Sequence, residues 1–202
     1  MHYTEKCGDN MDMILASASP RRREILDLYG INYKVIPSDV DENINALSPY
    51  EMVETLSYMK AKSVAQNNIN SLIIGADTVV YLDGVILGKP KTKEDAYNML
   101  KSLSGKCHEV VTGVSLVSIS SNINISDYEV TKVYFKELTD KEIYDYIESK
   151  EPLDKAGSYG IQGIGSVFVE KIEGCYFNVV GLPTNKLYNL LGRIGVNLLG
   201  RK

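Results

Sequence analysis

Met13-Ile14-Leu15-Ala16-Ser17-Ala18-Ser19-Pro20-Arg21-Arg22-Arg23-Glu24-Ile25-Leu26 is the stretch on which the fold class turns. Its apolar opening, residues 13–16, reads as a buried strand running into a polar turn. Ser19 is a good helix N-cap, and Pro20 suits the first helical position, where its missing N–H costs nothing. Three arginines then fill the first helical turn, where the helix dipole disfavours cations. The chain holds only five arginines, so the allocation has a cause. Two readings stand. A bound anion would resolve the conflict, because free N–H groups and guanidinium forks would point at it together. The alternative is a solvated charge run beside an ordinary capped helix.

Strand and helix signals alternate outward from this point. The first helix runs from Pro20 to about Tyr29 and stops at Gly30, and a strand follows near residues 33–37. Ser48-Pro49-Tyr50-Glu51 is a capping box. It opens a helix whose Val53, Leu56, Met59 or Ala61, and Val64 recur at helical spacing, with Lys60 and Lys62 on its polar side. Residues 72–76 form a short buried strand that continues over 78–82, and Asp83-Gly84 signals a hairpin into residues 85–87. Thr92 caps a helix to about Leu103. Strands follow over 108–114, 115–119 and 128–135, then a second capping box at Thr139-Asp140-Lys141-Glu142. The spacing predicts strands over 166–172 and 176–180 and a final helix from about Thr184. Mixed strands with interspersed helices imply an α/β or α+β sheet, split into two lobes around a cleft where a ligand would sit.

Composition narrows the function classes. The 202 residues suffice for one sizeable or two-lobed domain. With 44% hydrophobic and 24% charged residues, the chain is globular rather than disordered or fibrous. A net charge of −4 argues against broad binding to nucleic acid or anionic membrane, so any anion is caught by a local cluster. No apolar run approaches the ~18 residues needed to span a bilayer. Residues 1–12 are polar and read as an extension ahead of the fold. Cys7, Cys107 and Cys175 are far apart and odd in number, which fits unpaired thiols. His2 and His108 are the only histidines, so a multi-histidine metal site is excluded, and His108 reads as structural or surface.

Asp77 interrupts an apolar stretch and is read as leaving the sheet where a strand ends, either as a base or metal ligand or as a turn aspartate. Glu42, in the acidic turn Asp39-Val40-Asp41-Glu42, would bring a second carboxylate, and two carboxylates plus substrate phosphates suit magnesium. The same turn also reads as a solvated loop. Lys89 is pinned between Gly88 and Pro90, so its direction is fixed. In residues 154–163 and just beyond, glycines at 157, 160, 163 and 165 either let backbone approach a ligand or form a tight turn. Gln162 there offers a donor and acceptors for a base edge.

Together the motifs ILASASPRRREIL, VDEN, KAKSVA, IIGADTVV, LGKP, LSGKCHEVVTGV, EPLDKAGSYGIQG and NVVGLP, in this order from Ile14 to about Leu191, closely resemble the Maf family of nucleoside triphosphate pyrophosphatases. DKAGSYGIQG resembles the branch acting on dTTP and UTP rather than the branch acting on 7-methyl-GTP. The resemblance implies a two-lobed α/β fold, related to that of inosine triphosphatases, with an elongated mixed sheet flanked by helices, occupying residues 13–202. It implies Asp77 as catalytic base, and Arg21, Thr78 and Gln162 as determinants of base specificity. Ser17, Arg22, Lys60 and Lys89 would bind phosphate. Glu42 and Asp154 would line the pocket, and Glu42 with Asp77 would hold Mg2+ or Mn2+. A cytoplasmic homodimer whose partner is a nucleoside triphosphate is also implied. The alternative is a non-catalytic nucleotide-binding regulator of cell division.

Overall fold

The computed structural model describes residues 11–42, 44 and 48–200. His2, Cys7 and Asn43 of the VDEN motif lie outside the described residues. In chain order the elements are β1 (Met13–Leu15), α1 (Pro20–Asp27), β2 (Tyr33–Val35), α2 (Pro49–Ala65), β3 (Leu72–Leu82), β4 (Val85–Leu87), α3 (Lys93–Leu103), β5 (Cys107–Ser118), β6 (Ile123–Phe135), α4 (Asp140–Glu148), β7 (Val169–Glu173), α5 (Tyr176–Val180) and α6 (Thr184–Arg193). Among the described residues seven strands form one mixed sheet in the order β2-β1-β3-β5-β6-β7, with β4 added on β3. β1 is parallel to both β2 and β3, while β4 and β7 run antiparallel to β3 and β6. The sheet flanked by helices agrees with the class expected from the alternation.

The chain divides into two compact units. The first holds the described residues up to Asp77 together with 112–129 and 181 onward, and the second holds 78–111 and 130–180. In the first, Ile14, Ala16, Ala61, Val64, Ala65, Ile73 and Val117 form a buried cluster that packs α2 on the sheet. In the second, Leu100, Leu103, Val133, Phe135, Ile143, Tyr146 and Phe168 belong to the core that α3 and α4 cover.

Local chemistry explains most boundaries. Capping boxes start α2 at Ser48/Glu51, α3 at Thr92/Asp95 and α4 at Thr139/Glu142. Asp83 and Gly84 both adopt positive φ, 49° and 88°, the geometry of the tightest hairpin. Met11 and Asp12 already belong to the fold: the Leu72 N–H donates to the Asp12 carbonyl (2.9 Å), and the Ser121 hydroxyl meets the Met11 sulfur (3.4 Å).

Four expectations are corrected. Ser19 occupies the N-cap of α1 in extended conformation, but its side chain makes no cap hydrogen bond. Instead its N–H donates to Ser17 Oγ (3.2 Å). β3 and β5 are each one uninterrupted strand rather than two. Of the segment 166–172 only the end is strand, because Ile164–Phe168 coils into a 3-10 turn that buries Phe168 against the Tyr146 ring, 5.0 Å away. Residues 176–180 are helical, not extended. There a tertiary tie overrides β propensity. The buried Asn178 amide donates to the Val110 carbonyl and to Thr131 Oγ1 (2.9 Å each), while Thr131 exchanges two hydrogen bonds with the Cys175 backbone (3.0 Å each).

Candidate active site

Lys60 anchors the cluster in the first unit. Positions 53, 56, 57, 60, 61 and 64 form an unbroken i, i+3, i+4, i+7 series on α2, and all six are buried. Lys60 is therefore on the core face, not on the polar side where its charge suggested. Its ammonium lies 2.6 Å from Asp77 Oδ1 and 2.6 Å from Glu42 Oε1. The Lys60 and Asp77 side chains are 10% and 11% exposed, whereas Glu42 is 60% exposed. Asp77 does not leave the sheet at a strand end. It sits mid-strand in β3.

β3 meets α2 closely at this point. A Cβ on Gly75 would collide with the Ser57 carbonyl and approach Ala61 Cβ to 2.9 Å. Gly75 and Asp77 share one face of the strand by the period-2 rule. Glycine at 75 is thus what brings the helix near enough for Lys60 to reach the carboxylate.

Arg22 completes the cluster from α1. Its Nε donates to the Gly181 carbonyl (2.8 Å) and its Nη1 to Ser17 Oγ (3.0 Å). Burial lowers the guanidinium pKa. Asp77 opposes that shift, neighbouring Arg21 adds to it, and Glu42 again opposes it. Arg21 and Arg22 are half-buried while Arg23 is exposed, so the three arginines are not equivalent. Two carboxylates thus lie with the cations Lys60 and Arg22 at the start of α1, where helix N–H groups also favour an anion.

A divalent cation is compatible with this chemistry. Glu42 and Asp77 are hard oxygen donors converging on one point, where an ammonium already shows that positive charge is accepted. Magnesium needs only one or two carboxylates besides water and phosphate. Among the described residues no group of three or more His, Cys, Asp or Glu side chains comes together as a metal cage.

The remaining expected residues lie in the second unit. Thr78 follows Asp77 directly on β3 and is half-buried. Lys89 is exposed in the turn after β4, where the Gly88 carbonyl accepts from the Gly157 N–H (3.1 Å) and ties that turn to the glycine-rich segment. Asp154 is paired with Lys155 (2.6 Å). Gln162 is exposed within a turn closed by the Gly163 N–H on the Gly160 carbonyl (3.4 Å).

Sequence reasoning passed over Gly181, Glu151 and Tyr146. Glu151 accepts from the N–H groups of Ile164 (2.8 Å) and Gly165 (3.2 Å) and from the Tyr146 hydroxyl (2.9 Å). Partial burial raises its pKa, but these donors and Lys155 outweigh that and hold it below the ordinary value. Burial and the Glu151 bond raise the Tyr146 pKa. His108 is buried, bonds the Tyr159 hydroxyl through Nε2 (2.8 Å), and is pushed down to about 4 by desolvation. It is structural, as one of its two readings held.

The chain belongs to the Maf family: the family described as "Maf-like protein" matches residues 12–194. Proteins named dTTP/UTP pyrophosphatase are similar to it along most of their length. The one from Carboxydothermus hydrogenoformans is 53% identical over 185 residues, 92% of this chain and 100% of that one. Those from Alkaliphilus oremlandii and Ruminiclostridium cellulolyticum are 54% and 50% identical, each over 93% of this chain and 98% of the relative. A solved structure described as that of the Staphylococcus aureus Ham1 protein aligns with 61% of this chain and 71% of that chain, at 16% identity and a TM-score of 0.46, too slight a likeness to carry an argument.

Proposed function

We propose that this protein hydrolyses dTTP and UTP between the α and β phosphates, releasing pyrophosphate and the monophosphate. Membership of the Maf family and the names of its relatives support the reaction class. The observation that carries it is the Lys60 ammonium shared by Asp77 and Glu42. A buried lysine bridging two carboxylates is a poor stability device, because desolvation offsets much of the Coulombic gain. It is a sensible arrangement for a centre that must accept a triphosphate and still present a carboxylate to water.

In this reading Asp77 takes a proton from the attacking water, a contribution worth roughly 10²–10⁴-fold. Ser17, Arg22, Lys60 and Lys89 hold phosphate oxygens and offset their charge. Glu42 and Asp77 would hold Mg2+ or Mn2+, which when bound supplies charge neutralisation and a more acidic water. Gln162, with Thr78 and Arg21, reads the pyrimidine edge, and Asp154 lines the pocket. The proposal includes a cytoplasmic homodimer that does not act on nucleic acid. Among the described residues no helix is long and apolar enough to cross a membrane.

The test is pyrophosphate release from dTTP, UTP, CTP, dGTP and 7-methyl-GTP, with magnesium or manganese and with chelator. Metal-dependent turnover of dTTP and UTP is the expected result. Turnover of another base keeps the reaction and removes the role of Gln162. Nucleotide binding without pyrophosphate release would make the chain a regulator instead.

A further inference from the structure

The glycine-rich loop is built around its own anion. Both feet of the turn that carries Gln162 end on one carboxylate. On the far side, the N–H groups of Ile164 and Gly165 donate to Glu151 Oε2 and Oε1. On the near side, the Gly160 N–H donates to the Tyr146 hydroxyl (3.1 Å), which donates onward to Glu151 Oε1. Hydrogen bonds to an ionised acceptor are about twice as strong as neutral ones.

The glycines make room for this carboxylate. A Cβ on Gly163 would fall onto the Glu151 carboxyl group. One on Gly165 would come within 2.6 Å of the Tyr146 hydroxyl, and one on Gly160 within 2.7 Å of Lys155 Cε. Lys155 in turn donates to the Glu151 carbonyl (2.6 Å). The glycine spacing therefore answers to an internal ligand.

We propose that Glu151, relayed by Tyr146, is a positioning residue for base selection: it fixes the turn that presents the Gln162 amide. This rests on the role given to Gln162 above. An exposed amide on a loose loop discriminates poorly, because ordering must be met from the binding energy. On a loop pinned at both ends the amide is held before the nucleotide arrives.

The experiment is steady-state kinetics with dTTP, UTP, CTP and dGTP on the full chain and on Glu151→Gln, Tyr146→Phe, Gln162→Ala and the Glu151→Gln/Gln162→Ala double variant. Glu151→Gln should raise the KM for dTTP about ten-fold, leave kcat unchanged, and lower the preference for dTTP over dGTP. Tyr146→Phe should shift both in the same direction by less. The double variant should discriminate no worse than Gln162→Ala alone, since both changes act on one device. A Glu151→Gln protein with lowered Tm but unaltered KM and base preference overturns the proposal, as do additive losses in the double variant. If Gln162→Ala leaves base preference unchanged, or the wild type releases no pyrophosphate, the reading of Gln162 falls and this inference with it. If Gln162→Ala shifts preference and Glu151→Gln does not, only this inference falls. Should Glu151→Gln fail to fold, Tyr146→Phe, which keeps the carboxylate, decides on the same criteria.

Discussion

The two units handle polar groups in their interiors in opposite ways. The first buries a lysine and an aspartate and lets their charges cancel, with Glu42 adding a second acid from the surface. The second keeps His108 and Tyr159 neutral and surrounds the loop acid Glu151 with hydrogen-bond donors. His108 is pushed down to about 4, burial raises the Tyr159 pKa, and the loop's acid, Glu151, is met by N–H and O–H donors. A cation opposite a carboxylate can be reassigned when a phosphate arrives. A carboxylate held by backbone N–H groups cannot be reassigned without unmaking the loop. The first arrangement suits chemistry, the second suits shape.

The comparison breaks most easily at Asp77. Asp77→Asn should bind nucleotide yet lose between two and four orders of magnitude in kcat. Single-turnover assays beside calorimetric binding would check this, and near-normal kcat would remove the base assignment. Lys60→Met sharpens it next. Removing one partner of a buried pair leaves Asp77 with Arg22 as a remaining cation, so stability should fall by no more than roughly 3–5 kcal/mol in urea melts. If stability is unchanged, the pair is not buried in solution.

His108 tests the other half. Its folded-state pKa is lowered, so the unfolded chain takes up the proton first as pH falls. Its contribution is complete above the ordinary value of 6.5 and is lost between there and about 4. The loss is at most about 3 kcal/mol. His108→Gln should flatten the stability profile in that window while leaving turnover at neutral pH intact. The smallest effect is expected at Ser48, whose hydroxyl caps α2 by accepting from the Glu51 N–H (3.3 Å). Ser48→Ala should cost about 1 kcal/mol with kcat unaltered, and a matching loss of activity would mean that α2 senses its cap at the site.

Much of this is legible in the sequence. Capping boxes, the Asp83-Gly84 turn and the apolar runs are local signals, and local signals set most helix and strand starts. At Lys60 charge and periodicity conflict: its charge points to the polar side, while its place in the apolar series points to the buried face it occupies. The split of β3 at Asp77 failed for the same reason: a carboxylate inside an apolar run looks like an exit when its cation comes from elsewhere in the chain. Residues 176–180 were lost to a contact with Thr131 and Val110, far away in sequence. Glu151 drew no notice because an exposed-looking acid gives no sign that N–H groups will gather around it.

The unbroken length of β3 makes it a ruler marked in two alternating colours. Odd positions 73, 75 and 77 turn to α2, so Ile73 packs, Gly75 gives way and Asp77 meets Lys60, each by parity alone. Deleting or inserting one residue between Leu72 and Asp77 would swap the colours and send the acid to the wrong side of the sheet. The same edit at the Asp83-Gly84 turn would change only a tip. The strand's tolerance to length change should therefore fall to nothing upstream of the acid and recover beyond it.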